Sequence, residues 1–380
     1  MKRILYVSGS RADYGLMRFV LSRIRDHPGM DLRIAATGMH LMPEFGYTLD
    51  EIRRDGFTCV PVNVTYEQDS RESMALFIGG FIREFVGLIR SCRPDIILLL
   101  GDRGEMLGAA IAGAYLGIPV AHIHGGEVTS TADESARHAI TKLSHVHLAA
   151  TEKSAERIVK MGEDPRHVFM VGAPGLEEIH QLPAASVQAV ADRYGIDRSI
   201  PFILVIQHPV PLEPGDPAER METTLKAACS LPYPVIVLYP NADAGGRAMI
   251  EVIKKYETGT KIRAFTSIDH ADYLALLQLS SVIVGNSSSG IIEAPSFGVP
   301  AVNIGTRQQG REQGANVINT GYYEDGIAAA IYRALSDDVF RRKVKAATNP
   351  YGKGNSSRKI VEILETIDPT PDLLQKRMVY

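Results

Sequence analysis

The sequence predicts an α/β protein built as two doubly wound halves, and three observations carry that expectation. Short β-branched runs alternate with longer amphipathic stretches, the series restarts after Pro174, and 380 residues are too many for one ordinary core. With 45% hydrophobic and 22% charged residues, a disordered, collagen-like or fibrous chain is excluded. Lys+Arg number 41 against 44 Asp+Glu, a net charge of −3, and no basic run supplies the footprint of nucleic-acid binding. Cys59, Cys92 and Cys229 are far apart and odd in number. They form neither a disulfide framework nor a CxxC metal pattern and fit a reducing compartment. The apolar run behind Lys2 and Arg3 is too short for a signal peptide. The longest apolar runs fall well short of the ~20 residues that a membrane span needs. A soluble, cytoplasmic protein with no membrane partner is expected.

Residues 4–8 read as the first strand and 14–26 as a helix with Leu16, Phe19, Val20 and Ile24 at helical spacing. A strand over 32–37 follows, then a long helix over 71–91, an apolar strand over 96–100 and a small-residue helix over 106–116. Strands at 120–124, 146–149 and 168–171 complete the first series. Continuous apolar runs indicate parallel strands covered on both faces by crossover helices. The halves join near 172–185, and a polar, Pro-containing stretch occupies 182–191. Strands of the second series are expected at 202–206, 235–239, 262–265, 282–284 and 301–304. Helices lie between and after them over 221–230, 248–256, 273–279, 287–298 and 326–335. A Gly/Asn/Ser-rich loop at 349–357 precedes a last helix over 357–367.

In such sheets ligands bind outside the carboxyl ends of the strands, so the polar residues just after strands are the candidates. The first strand runs into Gly9-Ser10-Arg11-Ala12-Asp13. A tight turn and a helix start offer N–H groups to an anion, and Arg11 could pair with a phosphate. A turn with a surface Arg11–Asp13 pair explains the same residues. Neither GxGxxG nor GxxxxGK[ST] occurs, which excludes the dinucleotide fingerprint and the P-loop. Asp102 follows a buried strand, as a ligand-holding carboxylate or as the N-cap of the next helix. His122 and His124 alternate onto one face of a strand end, with Glu127 after a Gly-Gly turn. That permits a metal, but no third ligand of convincing spacing completes the set, and no metal is expected. Asp133 opens a helix carrying Arg137, at the spacing of an ordinary i,i+4 ion pair.

In the second series His208 ends a strand, and Pro209 stops further pairing there, which puts the imidazole at the cleft. Asn241 has the same placement. The sharpest signal is Gly285-Asn286-Ser287-Ser288-Ser289-Gly290, with Glu293 one turn further on. Three hydroxyl residues between a strand and a helix make a diphosphate cradle from backbone N–H groups without any lysine. A single serine N-cap would not explain the run. Glu293 is placed to take a ribose hydroxyl pair, and Gly-Thr-Arg307-Gln-Gln-Gly-Arg adds cations after the next strand.

In order over residues 4–315, GSRADYG, GDR, HIHGGE, DESARHAITKLSH, His-Pro after a strand, GNSSSG and GTRQQGR occur. Together they resemble the hydrolysing UDP-N-acetylglucosamine 2-epimerases of bacterial sialic acid biosynthesis. The resemblance implies the GT-B fold, two Rossmann-like domains facing across a cleft with a C-terminal helix returning to the first. Here these would be 1–172 plus 358–380, and 173–357. It implies conversion of UDP-N-acetylglucosamine and water into N-acetylmannosamine and UDP, by elimination of UDP and hydration of the glycal, with no cofactor. His208, Asn241, Ser287, Ser288, Ser289, Gly290, Glu293 and Arg307 would hold UDP, with Arg11 reaching the diphosphate. Asp102, Glu127, Asp133 and Arg137 would hold the sugar and move its protons. Several relatives read HIEGGE, with a carboxylate among their proposed catalytic residues where this chain has His124. Either His124 takes that role or Glu127 and Asp133 carry it. The same chemistry on UDP-N,N′-diacetylbacillosamine, for legionaminic acid, is the nearest alternative. A GT-B glycosyltransferase is a further one, disfavoured by the acidic cluster. Relatives are dimers or tetramers, a role that the apolar face of the 71–91 helix could serve.

Overall fold

The computed structural model describes residues 1–129, 132–179, 181–258 and 261–379. Strands β1 (Lys2–Ser8), β2 (Met30–Ala36), β3 (Cys59–Pro61), β4 (Ile96–Leu100), β5 (Val120–Ile123), β6 (Val146–Ala149) and β7 (Val168–Met170) form one sheet. Its order is β3-β2-β1-β4-β5-β6-β7, and every pairing is parallel. Strands β8 (Ile203–Ile206), β9 (Val235–Leu238), β10 (Ile262–Phe265), β11 (Val282–Gly285), β12 (Ala301–Ile304) and β13 (Val317–Thr320) form the second. They run β10-β9-β8-β11-β12-β13, again all parallel. Both sheets thus carry the Rossmann order, and the strand order reverses between β1 and β4 in one and between β8 and β11 in the other. Two such halves facing across a cleft make the GT-B arrangement.

Successive side chains of a strand point to opposite faces, and β1 shows the consequence. Ile4 and Tyr6 pack with Val20, Leu21 and Ile24 of the helix Arg11–Arg25, whereas Leu5 and Val7 pack with Phe81 and Phe85 of the helix Arg71–Cys92. The face of that long helix that carries Phe81 and Phe85 therefore packs on its own sheet. Ile360, Val361 and Leu364 of the helix Ser356–Thr366 join the core around Ile4, so the chain returns to its first half.

Several elements differ from expectation for local reasons. The polar stretch near 182–191 folds as the helix Ala184–Arg193, because Val187 and Val190 share one face and bury in the second core. β3 and β13 are short edge strands without a continuous apolar run. The helices Glu152–Lys160 and Asp338–Ala346 are opened by the side-chain caps Thr151 and Asp337. The helix expected over 287–298 is two short pieces, Ser289–Ile292 and Ala294–Phe297. Pro295 has no N–H to continue the ladder, and the break falls at Glu293. Among the described residues no helix is long and apolar enough to cross a membrane.

Candidate active site

A cavity of about 360 Å³ lies between the halves, lined by the loops after β1, β4 and β5 and, facing them, those after β8 to β12. Both reversal points of the strand order open onto it, which is why the motifs after β1, β4, β8 and β11 converge.

The turn after β1 is held from within. Asp13 accepts from the N–H groups of Gly9 at 2.9 Å and Ser10 at 2.8 Å, closing a capping box with Ser10. The expected surface pair with Arg11 is therefore not made. Arg11 instead pairs with Glu51 and donates to the Ser267 hydroxyl of the second half at 2.9 Å. Gly9 is required here, since a Cβ would fall 1.6 Å from the Glu105 carboxylate. Glu105 is itself buried and held by Arg103 at 2.8 Å. Burial raises the carboxyls of both Asp13 and Glu105 above their ordinary values.

Asp102 is not the N-cap of the next helix. Arg103 occupies that position, and Asp102 forms an ion pair with Arg137. Arg137 also donates to the His124 carbonyl at 2.8 Å and lies 3.8 Å from Glu127. His124 has left the strand with φ +64°, a left-handed conformation that few non-glycine residues adopt. Its Nδ1–H meets Glu127 Oε1 at 2.5 Å, while His124 itself lines the cleft. His122 goes elsewhere: it is buried, and its Nε2–H donates to the Gly101 carbonyl at 2.7 Å. Burial pulls His122 down to about 3, so it is neutral. The two imidazoles share no ligand site, and no group of three or more metal-ligating side chains occurs among the described residues.

Glu127 is only 2% exposed and does not reach the cleft surface. Arg311, from the loop after β12, crosses from the other half and pairs with it through Nε at 2.9 Å. Burial opposes the charge of Glu127, but Arg311 and His124 hold its carboxyl far below the usual range. Asp133 behaves oppositely. Burial and the nearby carboxylates of Asp102 and Asp243 push it up to about 7. An acid in the cleft and one buried behind it thus differ in protonation near neutral pH.

On the second half, Gly285 has φ +129°, and a Cβ there would lie 2.0 Å from the Ile206 carbonyl oxygen. Only glycine allows this approach. Asn286 follows, fully buried, and its side chain accepts from His208 N–H at 2.7 Å and donates to the His208 carbonyl at 2.8 Å. His208 Nδ1 accepts the Asn241 N–H at 3.1 Å, which leaves Nε2 to carry the ring proton. Burial, with Arg307 and Arg103 nearby, keeps this imidazole neutral, well below its ordinary value. Arg307, Ser287, Ser288 and Ser289 all line the cleft, and the Ser289 hydroxyl bonds the Tyr273 hydroxyl. Glu293 lines it too, 3% exposed and with Oε2 lacking any protein partner.

Gly290 does not line the cavity but packs beneath the turn. Its carbonyl accepts from Asn316 at 2.9 Å, and a Cβ would come 3.1 Å from that of Ala301. The cradle also owes little to a helix dipole, since the helix behind it is a single four-residue turn. Hydroxyls and turn N–H groups carry it.

Sequence reasoning missed Asn286, Arg103 and Asp243 as parts of the site. Arg103 stands 4.0 Å from Asp243 of the opposite half, and only the cleft brings them together. It also missed an apolar wall of Met39 and Phe45, from the segment after β2, with Met74, Phe77 and Ile78 of the helix Arg71–Cys92. Asp69 was missed as well: from the first half it accepts the N–H groups of Gly245 at 2.6 Å and Arg247 at 3.1 Å, capping a helix of the second.

A model of the family described as UDP-N-acetylglucosamine 2-epimerase matches residues 22–365. The UDP-N,N′-diacetylbacillosamine 2-epimerase (hydrolyzing) of Legionella pneumophila is 42% identical over 383 residues, covering all of both chains. The UDP-N-acetylglucosamine 2-epimerase of Neisseria meningitidis is 34% identical over all of this chain and 99% of that one. A crystal structure of UDP-GlcNAc 2-epimerase from Neisseria meningitidis, bound to UDP-GlcNAc, superposes with a TM-score of 0.82 at 19% identity, over 96% of this chain and 100% of that one. That likeness concerns the fold, whereas the family match and the two full-length relatives carry the assignment: this chain belongs to the UDP-N-acetylglucosamine 2-epimerase family of enzymes.

Proposed function

We propose that the protein is a hydrolysing 2-epimerase that converts UDP-N-acetylglucosamine and water into N-acetylmannosamine and UDP, for sialic acid synthesis. One observation carries this reading. The His124–Glu127 pair, Asp102 and Asp133 face the Ser287–Ser289 turn, His208 and Arg307 across one cleft.

The hydrogen at C-2 of the sugar is very weakly acidic, so its removal must accompany departure of UDP from C-1. His124, with Nδ1–H held by Glu127, offers Nε2 as the base. Glu127 then orients the ring and stabilises the imidazolium, although it touches no substrate. As the C-2 proton leaves, the C-1–O bond breaks and its electron pair goes to the diphosphate. His208 Nε2–H, Arg307 and the serine turn receive that charge. Glu293, with its unpartnered oxygen, takes the ribose hydroxyls. Asp133, protonated near neutrality, returns a proton to C-2 from the opposite face. Water adds its hydroxyl to C-1 and gives its proton to Asp102.

Residues 1–172 with 358–380 would form the sugar domain and 173–357 the UDP domain, a division supported by the burial of Ile360 and Leu364 in the first core. The enzyme would work in the cytoplasm as a homodimer or homotetramer. Leu76 at 66% and Tyr115 at 86% exposure, on helices that cover the first sheet, offer apolar surface for such assembly.

Incubation with UDP-N-acetylglucosamine in deuterated water, followed by proton NMR, tests the reading. UDP release with N-acetylmannosamine deuterated at C-2 supports it. UDP release without inversion would instead indicate a transferase acting on water.

A second reading is favoured by the apolar wall: the same chemistry on UDP-N,N′-diacetylbacillosamine, whose sugar carries an acetamido group at C-4 and a methyl at C-6 where N-acetylglucosamine carries a hydroxyl and a hydroxymethyl. Each methyl buried against Met39, Met74 or Ile78 would contribute about 0.8 kcal/mol, and a hydroxyl buried there without a partner would cost about 1–3 kcal/mol. The ratio of kcat/KM for the two substrates decides between the readings.

A further inference from the structure

We propose that Asn286 is the positioning residue for the leaving-group side of the site, fixing His208 and Arg307 as one unit on the departing diphosphate. This rests on the reading of His208 given above. Asn286 does not line the cleft, yet its bonds reach two groups that do, His208 and Arg307.

The pairing of β8 with β11 ends at Ile206 opposite Gly285. Beyond it Pro209 forbids a further ladder, and His208 would be free to rotate about its backbone. The Asn286 side chain supplies the missing rung. It accepts from one main-chain group of His208 at 2.7 Å and donates to the other at 2.8 Å, as a neighbouring strand would. A primary amide presents an acceptor and a donor side by side in this way, which a carboxylate cannot do. The imidazole is thereby held so that Asn241 N–H reaches Nδ1 and the proton sits on Nε2.

The main-chain carbonyl of Asn286, which Asn286→Ala retains, has a second task. It accepts from Arg307 Nη1 at 3.2 Å and from Gln308 Nε2 at 2.9 Å. Gln308 in turn accepts from Arg311 at 2.8 Å, and Arg311 pairs with Glu127 of the other half. One buried residue therefore sets the direction of the hydrogen-bond donor and of the cation that meet the diphosphate. It is also linked to the carboxylate behind His124. A donor displaced from the oxygen on which charge develops loses most of its value in the transition state and little in the ground state.

The test is a double-mutant cycle of Asn286→Ala and His208→Ala, read as kcat and KM separately, with UDP affinity and thermal unfolding measured on each. Asn286→Ala should lower kcat about 100-fold, within the range for losing one oriented donor. KM should change by less than about threefold. In the His208→Ala background the same substitution should cost much less than 100-fold, because the group it positions is gone. Asn286→Asp, which keeps the acceptor for His208 N–H but sets an oxygen against the His208 carbonyl, should not rescue turnover. Full kcat in Asn286→Ala, beside a large loss in His208→Ala, would overturn the positioning role and leave the function standing. Multiplicative losses would overturn it also. If His208→Ala retains full kcat, the fault lies with the reading of His208 itself. Should Asn286→Ala not fold, Asn286→Ser carries the same comparison, with an intermediate loss expected and full kcat overturning the proposal.

Discussion

Replacing Glu127 by Gln keeps the size of the side chain and removes its charge, and two separate consequences can be worked out from its contacts. Glu127 is 2% exposed, accepts from His124 Nδ1–H at 2.5 Å, pairs with Arg311 and lies 3.8 Å from Arg137. Removing one partner of a buried ion pair leaves the other charge uncompensated, at a cost of about 3–5 kcal/mol. The sign with pH follows from the same contacts. Glu127 is held below its ordinary value in the folded protein. It therefore contributes stability in full above the unfolded value of about 4.3, and that stability is lost as pH falls towards the folded value. The variant should be less stable at pH 7, and the gap to the parent should narrow on acidification below about 4.

The kinetic consequence is separate. A glutamine can donate its amide to Nδ1, which would move the ring proton of His124 to Nε2 and leave no base facing the sugar. A general base is worth about 10²–10⁴-fold in rate. Glu127→Gln should therefore lose turnover by that factor, and exchange of the C-2 proton by as much, while UDP binds within about threefold of the parent. Urea unfolding at pH 7 and pH 4, with UDP titration and proton NMR turnover, gives all three numbers. Turnover within tenfold of the parent would refute the assignment of His124 and Glu127 as a working pair.

Asp133, raised to about 7 by burial and its carboxylate neighbours, must be protonated to act as the acid. Turnover should fall as pH rises through about 7, and Asp133→Asn should abolish that limb of the kcat profile together with most of the activity. Asp69→Ala removes a cap supplied by one half to a helix of the other, worth about 1 kcal/mol. Small-angle scattering should show a more open molecule, and KM should rise about fivefold with kcat nearly unchanged. Gly9→Ala drives a Cβ into the Glu105 carboxylate, and a loss of about 1–3 kcal/mol is expected in thermal unfolding.

The alternation of apolar runs and helices was enough to place most strands, because buried parallel strands write themselves as unbroken hydrophobic stretches. The edge strands β3 and β13 and the helix Ala184–Arg193 were not legible. No residue of β3 or β13 is fully buried, and the helix buries only the face that carries Val187 and Val190, so no unbroken apolar run marks any of them. At the site, residue type and position after a strand sufficed for Arg11, Asp102, His208, the serine run, Glu293 and Arg307, all of which line the cleft. The same rule put Gly290 and Glu127 there, but neither lines the cavity. Adjacency in sequence says nothing of whether a side chain faces the cavity or the layer beneath it.

The chain by itself determined the fold class and the motifs that follow its strands, since these follow from local hydrophobic pattern and turn chemistry, whereas the strand order and its two reversal points were decided by the folded sheets. Partnership across long separations was decided only in three dimensions. Arg311 meets Glu127, Asn286 holds His208, Asp69 caps the helix that begins at Gly246, and Ile360 returns to the core around Ile4. His122 and His124 make the point most sharply. Two residues apart, they alternate onto one face in the sequence, yet a left-handed backbone at His124 sends one ring to the cleft and leaves the other neutral in the core. That conformation belongs to the packing of the loop against Arg137 and Leu148, and no pattern of residue types announces it.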